Sequence, residues 1–381
     1  MITPHRHPGG NPASTDTAFE PAIDTNHANP PAIDGSKVDR FAHQLIADIG
    51  AAMSAVLVHI GDRLGLYRAL ADGVPLTSTE LAAKTGLNER YLREWLHNQA
   101  AGGWVSYQPK DGRFTLPAEH ALLLADETSP TFMAGGFDFV AAAWADEEIL
   151  TDAFRTGRGI GWHEHDRRLF TGTERFFRPG YQANLTNNWL PALDGVVDRL
   201  EAGISVADVG CGYGAATVQL GQSYPNSTFV GFDYHDASIA AARGRAGAAG
   251  VDANVTFEVA GAKEFTGKYD LICLFDCLHD MGDPVGAARH IRAALRPDGV
   301  LLVVEPAGAD RPEDNHHALG RLFYASSTAI CLPGSLAQDG RLGLGNQAGT
   351  ARLIEVLREA GFGDVRVATS TPINVIVDAR P

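Results

Sequence analysis

The chain has 381 residues, 45% of them hydrophobic and 20% charged, with a formal net charge of −15. That length suits two or three domains, and the composition is that of a globular protein with a full core rather than a disordered chain. Duplex DNA and anionic membrane surfaces both call for concentrated Lys and Arg, so the acidic balance disfavours each as the main partner.

Residues 1–36 are rich in Pro, Asn, Asp, Thr and Ala, contain no apolar run of signal-peptide length, and read as a disordered tail. From residue 37 to 71, Phe41, Leu45, Ile49, Met53, Val56, Leu57, Ile60, Leu64 and Leu66 recur at helical spacing. Few polar positions stand opposite, so this helix is expected to pack on most faces, with a second subunit as one candidate. Gly50, His59, Gly61, Asp62 and Arg63 interrupt its apolar stretch, which is expected to be too short to span a bilayer.

The domain read over 37–125 continues with Thr77 or Ser78 capping a short helix, Glu80 near its third position, and Gly86 closing it. Asn88 caps a second helix, and the runs WVSYQ and RFTLP, joined by PKDG, form a hairpin. Helix, turn, helix, hairpin is a winged-helix layout, which is a DNA-binding arrangement. Here Arg90 and Arg93 are offset by Glu89 and Glu94, which favours dimerisation or covering a substrate instead.

Residues 126–190 form a helical middle or lid segment. GFDFVAAAWADEEILTDAF reads as one amphipathic helix, and the mixed aromatic and polar stretch after it suits a pocket lining. Trp162, Phe177, Tyr181 and Trp189 are the candidate pocket residues there; Phe323, Tyr324 and Cys331 could close the other side, although each is also what an ordinary core would contain. His163-x-His165 has no spaced partner ligands, and no metal is expected. Cys211, Cys273, Cys277 and Cys331 form no CxxC pair, suggest no disulfide framework, and fit a reducing cytosol.

In the last domain, 191–381, strands and helices alternate from residue 204 onward. ISVADVG, STFVGFD, NVTFEVAG, YDLICLFD and GVLLVVEP are the strands of a parallel sheet. DVRVATS and INVIVDAR, too close together for a crossover helix, form a terminal antiparallel hairpin. VADVGCGYGAAT sets Gly210, Gly212 and Gly214 between a strand and a helix, where a ligand can approach the backbone. Asp233 ends the second strand, where a carboxylate can accept both hydroxyls of a ribose, and Tyr234 follows it. Asp208 could orient the glycine loop or meet a ligand ammonium group, and Gly261 and Ala262 end the third strand where an adenine could lie.

DVGCGYG, the Asp on the second strand and the terminal hairpin together resemble class I S-adenosylmethionine-dependent methyltransferases over roughly residues 180–381. With the region before it, nearly the whole chain is similar to small-molecule O-methyltransferases with an N-terminal winged-helix domain, a module that usually serves dimerisation. The resemblance implies a seven-stranded Rossmann-like α/β sheet, S-adenosylmethionine as cofactor, a cytoplasmic homodimer and a small-molecule acceptor, with a hydroxyl preferred over a thiol or amine. It places Gly210, Gly212 and Gly214 at the methionine part of the cofactor, Asp233 at its ribose, and Asp276 in the loop flanking the sulfonium. Relatives often carry Asp where this chain has Gly261, which leaves the adenine to backbone groups and Ala262.

Within LFDCLHDMGDP, the resemblance to plant-type O-methyltransferases maps the general base to His279 and an orienting carboxylate to Glu305. A second partner, an acid in those enzymes, maps to Gln347, which can orient a ring but cannot offset its charge. An imidazole with a pKa of about 6.5 suits proton removal near neutrality. Asp283 before Pro284 reads as a helix cap, and Asp280 has no assignment. Two rival readings are a DNA-binding regulator with a ligand-sensing methyltransferase fold, and a nicotinamide-dependent oxidoreductase. Net charge disfavours the first; the GxGxG spacing and the terminal hairpin disfavour the second.

Overall fold

The structure, a computed structural model, describes residues 33–381, so the tail reading over 1–32 lies outside the described residues. Helix α1 spans Gly35–Arg63 and takes in the last two positions assigned to that tail. The chain divides into two compact units at Ile49. The described part of the first unit is the start of α1, where Val38, Phe41, Leu45, Ile46 and Ile49 are all exposed. Among the described residues, the buried positions of α1 are Ala55, Val58, His59, Gly61 and Asp62, all in the second unit, fewer than packing on most faces would give. The interruptions do not shorten α1 either. Its 29 residues make it the one described helix long and apolar enough to cross a membrane by length and composition.

In the second unit, Gly65 at φ 70° breaks the expected helix, and α2 (Leu66–Leu70) starts anew. Helix α3 (Ser78–Thr85) opens with the Thr77–Glu80 capping box and ends at Gly86 with φ 72°. Helix α4 (Glu89–Ala101) is capped by the Asn88 side chain. Strands β1 (Ser106–Gln108) and β2 (Arg113–Thr115) pair antiparallel, and α5 (Ala118–Leu124) follows. Leu66, Tyr67, Leu70, Leu81, Leu92, Trp95, Leu96 and Phe114 form this domain's own core.

The expected single helix over 136–154 is two, α6 (Gly136–Ala145) and α7 (Glu147–Thr156). The junction, Asp146, turns its carboxylate to the His165 ring at 2.8 Å and the Asp166 N–H at 3.0 Å. Helix α8 (Arg168–Asn184) follows, and its Arg175 pairs with Asp62, Asp138 and Glu127, tying α8 to the end of α1 and to α6.

After α9 (Val196–Ala202) come β3 (Ser205–Val209), α10 (Ala215–Ser223), β4 (Thr228–Asp233), α11 (Asp236–Ala249), β5 (Val255–Val259) and β6 (Tyr269–Phe275). Next are α12 (Pro284–Ala294), β7 (Leu295–Pro306), α13 (Ala318–Ser326), α14 (Leu332–Leu336), α15 (Thr350–Glu359), β8 (Asp364–Ser370) and β9 (Asn374–Arg380). The sheet order is β5-β4-β3-β6-β7-β9-β8, with β9 antiparallel to both neighbours. Alternate strand residues divide the core. Val206, Leu271, Cys273, Val300 and Leu302 pack against α9, α10 and α11, while Ala207, Ile272, Leu274, Leu301 and Val303 meet α12 and α15. The strand order reverses between β3 and β6, and in such sheets the crevice for a ligand opens at their C-terminal ends.

Candidate functional site

One rim of the crevice is the turn after β3. A Cβ on Gly210 would come within 2.8 Å of the Cys277 sulfur, and one on Gly214 within 2.5 Å of the Phe257 ring. Gly210, Gly212 and Gly214 all have positive φ, and the space beside Gly212 is open, so the turn presents bare backbone to the crevice. Asp233 holds this turn from the end of β4: one carboxylate oxygen accepts the Gly212 N–H at 2.9 Å, the other the His235 N–H at 2.8 Å. A carboxylate has about four lone-pair sites, so two remain for hydroxyl groups. Asp208 lies beneath the turn at 1% exposure and accepts the Thr217 hydroxyl at 2.5 Å. Its Oδ1 is buried without a partner, and burial raises its pKa to about 7.

Gly261 carries no carboxylate of its own, but a Cβ there would come within 2.0 Å of a Glu264 carboxylate oxygen. A neighbouring acid thus stands where the first side-chain carbon of another residue at 261 would lie. The spacing alone did not reveal it, because the substitute comes from three residues further along the turn. Tyr234 is half-exposed, and Trp162 reaches the β4 loop through Phe170, whose ring lies 5.3 Å from Trp162 and 5.0 Å from His235.

The opposite rim is built by β6 and β7. Parallel pairing sets Phe275 against Val304, which brings Glu305 level with the turn after β6. Glu305, 1% exposed, accepts the Leu278 N–H through Oε1 at 2.8 Å and pairs with His279 Nδ1 through Oε2. The sequence-based condition that Glu305 reach His279 is thus met. On the ring's other side, Nε2 lies 3.2 Å from Asp280 Oδ1, and Cys331 Sγ shares the neighbourhood. Burial opposes a charge on this ring, but Glu305 and then Asp280 outweigh it and lift its pKa well above the ordinary value. The ring is held between two carboxylates.

Asp280, unassigned from sequence, sets a second carboxylate beside the ring. Gln347 lies against Gly308, and its side-chain amide donates to the Asn346 carbonyl, not to His279. Sequence reasoning also missed Gln338, which donates to the Asp280 carbonyl at 2.8 Å and accepts the Gly282 N–H at 3.3 Å. Ser335 adds a bond to the Met281 carbonyl at 2.9 Å, so α14 and the residues after it clamp the His279 turn. Asp283 caps α12 through the Gly286 N–H at 2.8 Å, as expected.

Asp276 begins the turn at φ 50°, an unusual conformation for a residue with a side chain and one that marks functional sites. Its Oδ1 accepts the Asn374 side chain at 3.0 Å, reaching across β7 from β9, while its Oδ2 is buried without a partner. Burial, then Glu305, push its pKa well up. The partly buried Tyr181 packs beside the end of β6, its ring 5.5 Å from Phe275 and 6.0 Å from Trp189. Phe177 stacks on Tyr181 at 6.3 Å. Trp189 is different: it is 1% exposed, sits in the main core and contacts Phe275 at 6.4 Å, so it is a core side chain. Tyr324 lines a cavity of about 410 Å³ with Asn315, His316, His317, Ala318 and Arg321, a wall that includes neither His279 nor Glu305.

Residues 200–357 match a methyltransferase domain, and residues 52–126 match an Rv2258c-like winged HTH domain. The chain is 36% identical over 122 residues to trans-aconitate 2-methyltransferase of Deinococcus radiodurans, covering 32% of this chain and 43% of that enzyme. It thus spans under half the length of that relative. It is 26% identical over 297 residues to the mitomycin biosynthesis 6-O-methyltransferase of Streptomyces lavendulae, covering 73% of this chain and 81% of the other. Human N-acetylserotonin methyltransferase, solved in complex with S-adenosylmethionine, shares the fold with a TM-score of 0.63 at 20% identity, over 92% of this chain and 99% of that one.

Proposed function

We propose that this chain, which carries a class I S-adenosylmethionine-dependent methyltransferase domain behind a winged helix–turn–helix domain, methylates a hydroxyl of a small-molecule acceptor. The observation that carries the reading is the Glu305–His279–Asp280 array, set across the β3/β6 crevice from the glycine turn. When bound, S-adenosylmethionine supplies an activated methyl group, so the protein's own work is positioning and proton removal. The residues present fit that cofactor. The glycine turn offers close backbone approach, Asp233 keeps lone pairs for the ribose, and the unpartnered oxygens of Asp208 and Asp276 suit cationic groups. Tyr234 and Ala262 border the adenine end, where Glu264 stands in for the acid that Gly261 lacks.

Glu305 fixes the His279 ring through Nδ1 and turns Nε2 toward Asp280. With the ring neutral, Nε2 takes the acceptor's proton as the new bond forms at its oxygen, and Asp280, 3.2 Å away, stabilises the imidazolium that results. Glu305 offsets the positive charge on the ring. Phe177 and Tyr181 supply an aromatic wall, which suits a planar acceptor. The exposed apolar side of α1 supports a homodimer through that helix, and four free cysteines support a cytosolic chain. In the winged domain, Arg90 pairs with Glu94 at 2.5 Å and Arg93 with Glu89 at 2.9 Å, which favours a covering or dimerising role over DNA binding.

The test is methyl transfer from labelled S-adenosylmethionine to a panel of phenols, carboxylic acids and thiols. We expect transfer to a phenolic hydroxyl. The H279A variant should lose about 10²–10⁴-fold in turnover while S-adenosylhomocysteine still binds by calorimetry. Wild-type turnover in H279A would overturn the proton-accepting role.

A further inference from the structure

The donors around His279 Nε2 have a second capacity. We propose that His279, Asp280 and Cys331 form a site for a soft divalent cation of the zinc type, and that its occupancy inhibits methyl transfer. The inhibitory part rests on the role given to His279 above; the binding part does not.

The ligand atoms of these three residues lie within 4.8 Å of one another, and His279 and Cys331 are buried. Nitrogen, oxygen and sulfur donors, one each, suit zinc, which in sites with three protein ligands keeps a fourth position open. Two further observations point to a cation. Asp280 Oδ1 is a buried oxygen that faces Nε2 from 3.2 Å as an ion pair, so both donor atoms point at one spot. Glu305 grips the other ring nitrogen, the carboxylate–histidine arrangement that fixes metal-ligating imidazoles and raises their basicity. Zinc takes nitrogen and oxygen ligands at about 2.0–2.2 Å and sulfur at about 2.3 Å. The three atoms must draw together slightly, and the Asp280 side chain, 32% exposed, has room to move.

Loading releases the Cys331 thiol proton and the Nε2 proton to solvent and forms metal–sulfur, metal–nitrogen and metal–oxygen bonds; no electron is transferred. The cation then occupies the lone pair that an acceptor's proton would take. Cation and acceptor therefore exclude each other.

Cobalt(II), titrated alone into the metal-free full-length protein, reads the site directly. We expect a thiolate-to-metal absorption band that saturates at one cobalt per chain, disappears in C331S and weakens in D280N. Zinc should inhibit wild-type turnover competitively with the acceptor, and a chelator should restore it. The ratio of rates with and without zinc, taken within each variant, should be at least tenfold smaller in C331S than in wild type. Absence of the band, persistence of the band in C331S, or wild-type turnover indifferent to stoichiometric zinc would each overturn the proposal. If H279A kept full turnover but lost the cobalt band, the proton-accepting reading would fall and the cation site would stand.

Discussion

The rim on the β3–β4 side of the crevice is built from backbone, whereas the rim on the β6–β7 side is built from side chains. On the first, Asp233 braces a glycine turn with open space beside Gly212, and the residues involved lie in two short stretches. On the second, the working atoms come from the β6 turn, from Glu305 on β7, and from the clamp of Ser335 and Gln338, brought together by strand register and packing. The contrast teaches that binding a cofactor common to many enzymes can be written locally, whereas activating one acceptor is written across the fold. Changes on the first rim should therefore move cofactor affinity, and changes on the second should move turnover.

The largest effect on this division is expected at Glu305. Glu305→Gln keeps an acceptor oxygen for the Leu278 N–H but removes the charge beside His279 Nδ1. Turnover should fall by about 10²-fold with cofactor affinity unchanged. A matching loss in S-adenosylhomocysteine affinity would erase the distinction between the rims. Next comes Asp233→Ala, which frees the Gly212 and His235 N–H groups and removes the proposed ribose acceptor. A charged hydrogen bond is worth about 1.5–3 kcal/mol, so calorimetry should show cofactor affinity weakened about 10- to 100-fold, with turnover at saturation little changed.

Asp208 sharpens the comparison through pH. Its carboxyl ordinarily titrates near 3.8, and burial raises this to about 7 in the folded protein. The folded state then binds more protons than the unfolded state between those values, so the Asp208 contribution to stability is fully present below about 4 and is lost as pH rises through about 7. In thermal melts of cofactor-free protein, Asp208→Asn should lose that part of the decline. Because a cationic cofactor group favours the carboxylate, wild-type cofactor affinity should rise severalfold from pH 6 to pH 8, and this rise should be absent in Asp208→Asn. A pH dependence identical in the two proteins would remove Asp208 from the cofactor rim.

What the sequence disclosed follows the same division. The sheet, its terminal hairpin and the glycine turn were legible because apolar alternation, positive-φ glycines and strand-end carboxylates are local features. The Thr77–Glu80 and Asn88 caps were legible for the same reason. Glu305 was reached only by resemblance, and its contact with His279 depends on the β6–β7 register, which no spacing states. Gln347 donates to its neighbour's carbonyl instead of to the ring, and the carboxylate beside Nε2 is Asp280, a contact set by the shape of the turn. The single helix expected over 136–154 failed because its apolar spacing runs on through Asp146, which a contact to His165 nineteen residues away turns into a junction. Trp189 had the composition of a pocket and the burial of a core.

The smallest effect is expected at the adenine end, where the first rim departs from its own rule. There the glycine at 261 leaves backbone alone, and Glu264, a side chain, reaches back into the space. If the rim worked through backbone throughout, Glu264→Ala would leave binding untouched. If Glu264 replaces the missing acid, the variant should bind S-adenosylhomocysteine a few-fold more weakly, since one hydrogen bond at an exposed site contributes about 0.5–1.5 kcal/mol. The double change Gly261→Asp with Glu264→Ala separates adenine recognition from mere disturbance of the turn. Restored affinity in the double variant means that a carboxylate is required there and that its origin on the chain is not. Affinity no better than in Glu264→Ala alone would return the adenine to the backbone and to Ala262.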